Sequence, residues 1–202
     1  MDATLDKRNM TPIDFLKSRT SIKAASMTEP GPSDDELRQI IEAGLRVPDH
    51  GKIGPWRIQI VKKEAQKTLG KIYGALFRKD NPSAPDDVVE FNALRCQRAP
   101  VMLVVTSYPD PRRFDKVPHM EQRLSGGALC QNLLHGAHAL GYAAQWLTGW
   151  PAYHPEVKKA LGHTPETEIL GFIFIGSSDE KPMERERVGA DKVVSEWTGP
   201  AA

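Results

Sequence analysis

A short basic segment, SRTSIK, gathers side chains that could bind a phosphate. Arg19, Thr20, Ser21 and Lys23 supply two cationic and two hydroxyl donors. Guanidinium, ammonium and hydroxyl groups together suit a phosphate monoester. A helix that ends at this point would also attract Arg and Lys through its dipole, so a solvated helix end is the alternative explanation.

A second stretch, GLRVPDHGKIGPW from Gly44 to Trp56, is longer than a connection between a helix and a strand requires. Such a connection typically takes about 4 to 6 residues. This stretch carries Arg46, His50 and Lys52 together with two prolines and two internal glycines. Its length and composition indicate a loop that binds something.

Other reactive residues lack the context that catalysis or metal binding needs. His135 and His138 form an HxxH pair without the i, i+4 spacing of the HExxH zinc helix, so we interpret them as ordinary helix residues and predict no metal site. Cys130 lies in an apolar helix, and Ser125 has no GxSxG turn around it. The sequence contains neither GxxxxGK[ST] nor GxGxxG, so any phosphate would have to meet basic and hydroxyl side chains.

Hydrophobic periodicity predicts helices and strands that alternate along the chain. Ser33 and Glu36 form a capping box ahead of an amphipathic helix that can end at Gly44. Strands are predicted for WRIQIVK, APVMLVVTS, YAAQWLTGW and EILGFIFIGS. Helices are predicted over about residues 64–77 and 120–140, over VVEFNALRC and near HPEVKKALG. The intermixed order predicts a sheet covered by helices.

Composition restricts the class of protein. With 202 residues, 40% of them hydrophobic, we expect one domain over residues 1–202 with flexible ends at 1–10 and 198–202. The formal net charge of +1 gives no electrostatic case for binding nucleic acid or a membrane surface. The apolar runs are shorter than a membrane span, the N-terminus lacks the apolar core of a signal peptide, and the two cysteines fit a reducing compartment. We therefore expect a soluble, cytoplasmic protein.

The C-terminal segment ERERVGADKVVSEW combines high polarity with a possible strand. It is too polar to belong to a core, yet KVVSEW has strand character. We expect this tail to cover something outside its own domain.

The order of five motifs resembles that of the FMN-dependent nitroreductase family, and in particular its short members. RTSIK comes first, a helix runs into AGLRVPDHGKIGPW, and a long helix, WLTG, GFIFIGS and a basic tail follow. The resemblance spans about residues 11–197. It implies an α+β fold with a central mixed or antiparallel sheet flanked by helices. It also implies an intertwined homodimer with FMN, bound without a covalent link, in two sites at the interface.

The resemblance implies which residues meet the phosphate and ribityl chain of FMN. Arg19, Ser21 and Lys23 match the family's Arg-x-Ser-x-Lys/Arg pattern, and Thr20 would contribute through its backbone or hydroxyl. Arg187 of the tail's RER would complete the phosphate cluster, with Arg185 as the alternative.

The resemblance also implies which segments border the flavin ring. The loop containing Arg46, His50 and Lys52 would come from the partner subunit, with Pro48 fixing the chain direction and Gly51 allowing close approach. Many family members have asparagine at the position of Lys52 and glutamine at that of Gly54, and a lysine could still stabilise the reduced flavin. The second segment is WLTG, which would offer backbone N–H groups near N5: Trp146, Leu147, Thr148 and Gly149. The alternative for Trp146 is an ordinary core aromatic residue.

The chemistry would then belong to the cofactor, and we predict no catalytic side chain. NADH or NADPH would reduce FMN and leave, and an electron-poor acceptor such as a nitroaromatic or quinone would enter the same space, which is a ping-pong mechanism. One alternative is a specialised member that performs dehalogenation, flavin breakdown or dehydrogenation, with the loops FRKDNPSAPDD and PDPRRFDKVPH setting the substrate. The other alternative is a non-catalytic flavin-binding module.

Overall fold

The structure, a computed structural model, describes residues 10–181 and 184–200, in which seven α-helices and four strands alternate. The helices are α1 Pro12–Ser18, α2 Asp34–Gly44, α3 Lys63–Asp80, α4 Asp86–Ala93, α5 His119–Ala139, α6 Trp150–Tyr153 and α7 Pro155–Ala160. The strands are β1 Trp56–Lys62, β2 Val101–Ser107, β3 Ala143–Leu147 and β4 Ile169–Gly176. The four strands and the helices predicted from hydrophobic periodicity between residues 33 and 178 are confirmed, with small differences at their ends. Residues 1–9 and 201–202, where flexible ends were expected, lie outside the described residues.

The four strands form one antiparallel sheet in the order β1-β2-β4-β3. The antiparallel form of the predicted sheet is thus confirmed for the described strands. Strand β3 ends at Leu147, earlier than the pattern YAAQWLTGW predicted, because Gly149 turns the chain with φ 87° into α6. As a result β1 and β3 are the two edges of the sheet, and Thr148 and Gly149 follow the end of an edge strand.

The two faces of the sheet bury separate cores, because successive side chains of a strand point to opposite faces. Every residue of the central strand β2 is buried. Met102 and Val104 belong to the core that also contains residues of α3 and α7, and Leu103 and Val105 belong to the core with residues of α2 and α5. The sheet is therefore covered by helices on both faces, as predicted.

Helix α2 begins at the predicted capping box and packs closely on α5. The Ser33 hydroxyl accepts from the Glu36 N–H at 3.3 Å, and the Glu36 carboxylate accepts from the Ser33 N–H at 2.8 Å. The Ser33 hydroxyl also donates to the Glu36 carboxylate at 2.7 Å, and this bond, followed by those from the Ser33 N–H and from Tyr142, lowers the pKa of Glu36. At the crossing with α5, a Cβ on Gly136 would stand 3.2 Å from the Ile40 backbone, so the absent side chain permits the close approach.

Helix α5 is the longest helix of the described chain, with 21 residues. Its length does not make it a membrane segment, because no helix in the described ranges combines the length and apolarity that crossing a bilayer requires.

The predicted strand KVVSEW does not form in the described structure. Residues 190–192 are a 3₁₀ turn, and the rest of the tail up to residue 200 has no regular secondary structure. The hydrogen bonds and ion pair of residues 184–200 join residues of that same segment. Strand propensity alone does not produce a strand, because a strand requires a hydrogen-bonded neighbour.

Ser33→Ala should lower the free energy of unfolding by about 1 kcal/mol, because the Glu36 N–H loses its side-chain acceptor. Urea unfolding monitored by circular dichroism measures this change. Ser83→Ala, in an exposed turn, is the matched control and should stay within about 0.5 kcal/mol of the parent protein. Equal losses in both variants would contradict a role for the capping box.

Candidate functional site

The SRTSIK segment leaves α1 in an extended conformation and runs beside the start of β3. Arg19 is the C-cap of α1, and its Nη1 donates to the Ser21 hydroxyl at 3.3 Å. The Ala24 N–H donates to Gln145 Oε1 of β3 at 2.6 Å, which ties the segment to the edge strand. Arg19 and Thr20 line a hollow of about 140 Å³ at this end of β3. A guanidinium and two hydroxyls are thus held together next to an open strand edge.

Arg19, which lines this hollow, and Lys23 of the same segment are available to a ligand. Within residues 10–181 and 184–200, no ion pair engages Arg19 or Lys23. Burial, followed by the nearby charge of Arg19, lowers the pKa of His135. Glu180 also lines the hollow, an acidic neighbour that the sequence analysis did not identify.

Trp146 lies at the other end of β3 and forms part of the wall of a groove of about 620 Å³. Trp146 is 36% exposed in the described chain, so the alternative of a core aromatic residue is wrong. The indole crosses β4 at Gly171, where a Cβ would stand 2.0 Å from the indole nitrogen, and that nitrogen donates to the Leu170 carbonyl at 3.0 Å. Leu147, the next residue, packs on the core that contains Met102 and Val104.

Arg95 lies beside the end of the WLTG segment, and the sequence analysis missed it. Its Nη1 is 3.5 Å from the position that a Cβ on Gly149 would take. Arg95 Nε donates to Asn92 Oδ1 at 2.8 Å, and the same oxygen accepts from the Trp150 indole at 2.9 Å. Arg95 was hidden inside the helical pattern VVEFNALRC, in which nothing indicates that its guanidinium reaches Gly149. Thr148 lines the groove and also contacts the small cavity beside Arg95.

Side chains of α5 and α6 also line the groove. Met120 and Leu124 of α5 are more than half exposed, and so is Tyr153 of α6. Arg123 and Glu168, 3.3 Å apart, add an ion pair to the lining. The groove is thus largely aromatic and aliphatic with a few charged groups, as is common for a pocket that holds a flat organic ligand.

The loop between α2 and β1 is held in shape by the Asp49 carboxylate. Its two oxygens accept from the N–H groups of Ile53, at 3.1 Å, and Gly54, at 2.9 Å. Gly51 has φ 74°, a conformation that glycine adopts freely. Lys52 has φ 53°, which is uncommon for a residue with a side chain and is better tolerated by asparagine. Lys52 therefore costs backbone energy while presenting an exposed cation.

Side chains of α5 bind the backbone of the same loop. The Ser125 hydroxyl donates to the Pro48 carbonyl at 2.5 Å, and Asn132 Nδ2 donates to the Arg46 carbonyl at 3.0 Å. These bonds give Ser125 and Asn132 a positioning role that the sequence did not reveal.

The two predicted cofactor-binding regions contact different parts of α5 within one chain. His50 Nδ1 lies 2.7 Å from Glu121 in the first turn, whereas the Phe15 ring packs edge-on against His135, with centroids 6.1 Å apart. Glu121 and His135 are separated by about 21 Å along the axis at 1.5 Å per residue. No hydrogen bond or ion pair in the described chain joins Arg19 to the loop. The structure therefore brings the SRTSIK and WLTG segments together along β3, whereas the loop is bound to α5 through Glu121, Ser125 and Asn132.

Arg187 contacts its own segment in the described chain. Its guanidinium lies 3.6 Å from Glu184 and donates to the Arg185 carbonyl at 2.9 Å. The assignment of either arginine to a phosphate therefore stays a prediction.

The remaining reactive groups belong to the core. Cys130 is fully buried, and burial raises the pKa of its thiol to about 12, so it is not a thiolate at neutral pH. His138 is also buried, at 5% exposure. The described residues contain no cluster of three or more His, Cys, Asp or Glu residues that could hold a metal ion.

Comparison with known proteins identifies relatives of this chain. The Nitroreductase family model matches residues 16–177. A protein of Escherichia coli K12, provisionally named NAD(P)H nitroreductase YdjA, is 28% identical over 176 residues, which cover 85% of this chain and 91% of that protein.

Solved structures share the fold at lower sequence identity. A nitroreductase-like family protein from Bacillus cereus has a TM-score of 0.79 and 22% identity, covering 94% of this chain and 97% of its own. A mutant of the FMN- and NADPH-dependent nitroreductase NfnB from Sphingopyxis sp. strain HMH has a TM-score of 0.72 and 20% identity. The match covers 94% of this chain and 100% of that one.

Gly171→Ala should move the Trp146 indole off the groove wall, because the new Cβ would overlap the indole nitrogen. We expect a loss of about 1–3 kcal/mol in the free energy of unfolding from overpacking and the lost indole hydrogen bond. Thermal and urea unfolding measure the loss. Gly127→Ala, also at the groove but with nothing within 4 Å of its Cβ position, is the control and should be neutral or stabilising. A neutral Gly171→Ala would contradict the described contact.

Proposed function

We propose that this chain, which belongs to the Nitroreductase family, is an oxidoreductase that holds FMN and transfers electrons from NADH or NADPH to a nitroaromatic, a quinone or a similar electron-poor acceptor. The name of the Escherichia coli relative supports the donor, and the description of NfnB supports both FMN and a nicotinamide donor. A cytoplasmic location is part of the proposal, because Cys96 and Cys130 are both buried free thiols.

One observation carries the proposal: a single open strand edge joins a cationic hollow to an aromatic-walled groove. The hollow with Arg19 and Thr20 lies at the start of β3, and the groove with Trp146 and Thr148 lies at its end. FMN has a matching shape, with a phosphate at one end and a flat ring system at the other. The guanidinium and hydroxyl donors suit the phosphate, and the apolar walls suit the ring.

The chain's own residues would bind, orient and tune the reactants. Bound FMN supplies a carrier that accepts a hydride from the donor and passes electrons to the acceptor. The Arg95 guanidinium, fixed by Asn92 beside Gly149, would stabilise negative charge that reduction creates on a ring in the groove. The apolar side chains of the groove would exclude water from the reacting groups.

A homodimer would complete the site, and three features support it. Met120 and Leu124 expose apolar surface on α5 next to the groove. In the tail, Val193 and Trp197 are 70% and 82% exposed, which suits a segment that packs on a second copy. Among the described residues no hydrogen bond or ion pair joins Arg19 to the loop containing Arg46, His50 and Lys52, and the exposed loop would reach the site of its partner.

Two assays separate the alternatives. Turnover of NAD(P)H by the purified protein distinguishes an enzyme from a flavin-binding module. A panel of nitroaromatic, quinone, halogenated and reduced flavin substrates distinguishes a general reductase from a specialised member.

The purified protein should carry about one FMN per chain, and NAD(P)H should bleach its visible absorbance in the absence of oxygen. Because donor and acceptor would use the same groove in turn, kinetics with a quinone should give parallel double-reciprocal lines. Heat-released flavin, anaerobic spectra and initial rates provide the measurements. A protein that neither contains nor binds FMN would refute the proposal, and intersecting lines would refute its ping-pong order.

Arg19→Glu and Arg46→Glu should each strip FMN from the homodimer, since each change places a carboxylate beside an anionic cofactor. A charge-assisted contact of this kind is worth about 1.5–3 kcal/mol. Lys71→Glu, an exposed position on α3, is the control and should retain FMN.

Mixed dimers of the two variants test whether the site is shared. If Arg19 comes from one subunit and Arg46 from the other, one site of each heterodimer has both wild-type residues. Differently tagged chains, refolded together and purified as heterodimers, should therefore recover up to half of the FMN sites. Complete absence of FMN would instead place both residues in the site of one chain.

A further inference from the structure

Arg113 belongs to the loop PDPRRFDKVPH, which has no role in the proposed function so far. Its guanidinium lies on the loop between α2 and β1: a Cβ on Gly51 would stand 2.8 Å from Arg113 Nη2 and 3.7 Å from Arg113 Cζ. Val117 Cγ2 is also close to the Cβ position on Gly51, at 3.5 Å. Arg113 thus extends the surface that carries Arg46 and Lys52.

The charge of Arg113 is less compensated than that of its neighbour Arg112. Arg112 donates from Nε and Nη2 to the two carboxylate oxygens of Asp110, at 2.9 and 3.0 Å. These contacts dominate the lowering of the Asp110 pKa, to which Arg113 contributes least. His50 lies 2.7 Å from the carboxylate of Glu121. The side chain of Arg113, in contrast, forms no hydrogen bond or ion pair within the part of the chain that the structure describes.

Lys52 adds a second cation at the same place. It follows Gly51 directly, is exposed, and likewise has no ion-pair partner among the described residues. Its backbone is in the left-handed region at φ 53°, so the loop presents a lysine here at a conformational cost. A half-buried guanidinium packed on Gly51, the residue before an exposed lysine, favours a ligand with a multiply charged anionic group.

We propose that Arg113, assisted by Lys52, binds the 2′-phosphate of NADPH and makes NADPH the preferred donor. This inference rests on the proposed function, in which the loop borders the flavin site of the partner subunit. The phosphate of FMN is already assigned to the Arg19 segment, and the proposed acceptors carry no phosphate. The donor is the remaining phosphate-bearing reactant. Its 2′-phosphate is a monoester with a charge of about −1.5 to −2 at pH 7, and NADH lacks it.

Donor kinetics of the FMN-loaded protein test the inference. The wild-type protein should show a higher kcat/KM for NADPH than for NADH. Arg113→Gln should raise the KM for NADPH by about tenfold or more, the size expected for the loss of one charge-assisted hydrogen bond, and change the KM for NADH by less than about twofold. Arg113→Lys, which keeps the charge without the planar fork, should retain part of the preference.

Arg112→Gln is the matched control, because Arg112 is adjacent, exposed and paired with Asp110. It should leave the ratio of the two donors unchanged. A wild-type protein that prefers NADH, equal losses with both donors, or the same loss in Arg112→Gln would overturn the inference. Equal losses would indicate contact with the pyrophosphate that both donors share.

A binding measurement separates this inference from the proposed function. By calorimetry, adenosine 2′,5′-bisphosphate should bind the wild-type protein at least about tenfold more tightly than adenosine 5′-monophosphate, and Arg113→Gln should abolish the difference. FMN content, measured in the same samples, reports whether the variant retains its site. Bisphosphate selectivity in a protein that does not oxidise NADPH would contradict the proposed function and support the phosphate site. NADPH turnover with no selectivity in either assay would overturn the phosphate site alone.

Discussion

The open edge of β3 is the constraint on which the candidate site depends. Strand β3 pairs with β4 on one side, and no other described strand covers its free edge. A sheet edge presents unpaired backbone groups, which a protein must cover or use. Here the Ala24 N–H binds the Gln145 side chain at one part of the edge, and the groove with Trp146 opens at its end. The same edge thus aligns a cationic hollow with an aromatic wall.

The two buried cores keep that edge in place. Because alternate residues of β2 and β4 face opposite cores, α5 is held on one face of the sheet and α3 on the other. Helix α5 then has two functions: its buried side supports the sheet, and Ser125 and Asn132 bind the loop between α2 and β1. One rigid helix therefore positions both regions that the proposed dimer would bring together.

Charge compensation distinguishes the structural cations from those that could bind a ligand. Arg112 has a carboxylate partner, as do Lys62 and Arg78 on the outer surface. Arg19 and Arg113 have none among the residues described. Exposed ion pairs contribute little to stability, but they show which cations already have a counterion. An anionic reactant gains the most binding energy from a half-buried cation that has none.

Local sequence was sufficient to predict the capping box at Ser33, the strands, the long helix and the basic segment at Arg19, because each depends on the spacing of nearby residues. It did not predict that Arg95 reaches Gly149, that Gly171 admits the Trp146 indole, or that Arg113 lies on Gly51, because each contact joins segments distant in the chain. In KVVSEW the local sequence favours a strand that does not form, because no neighbouring strand is there to pair with it. The sequence by itself determined which elements form and which side chains are present. The tertiary structure decided which of those side chains meet, because strand order and helix packing, rather than residue spacing, set distances across the sheet.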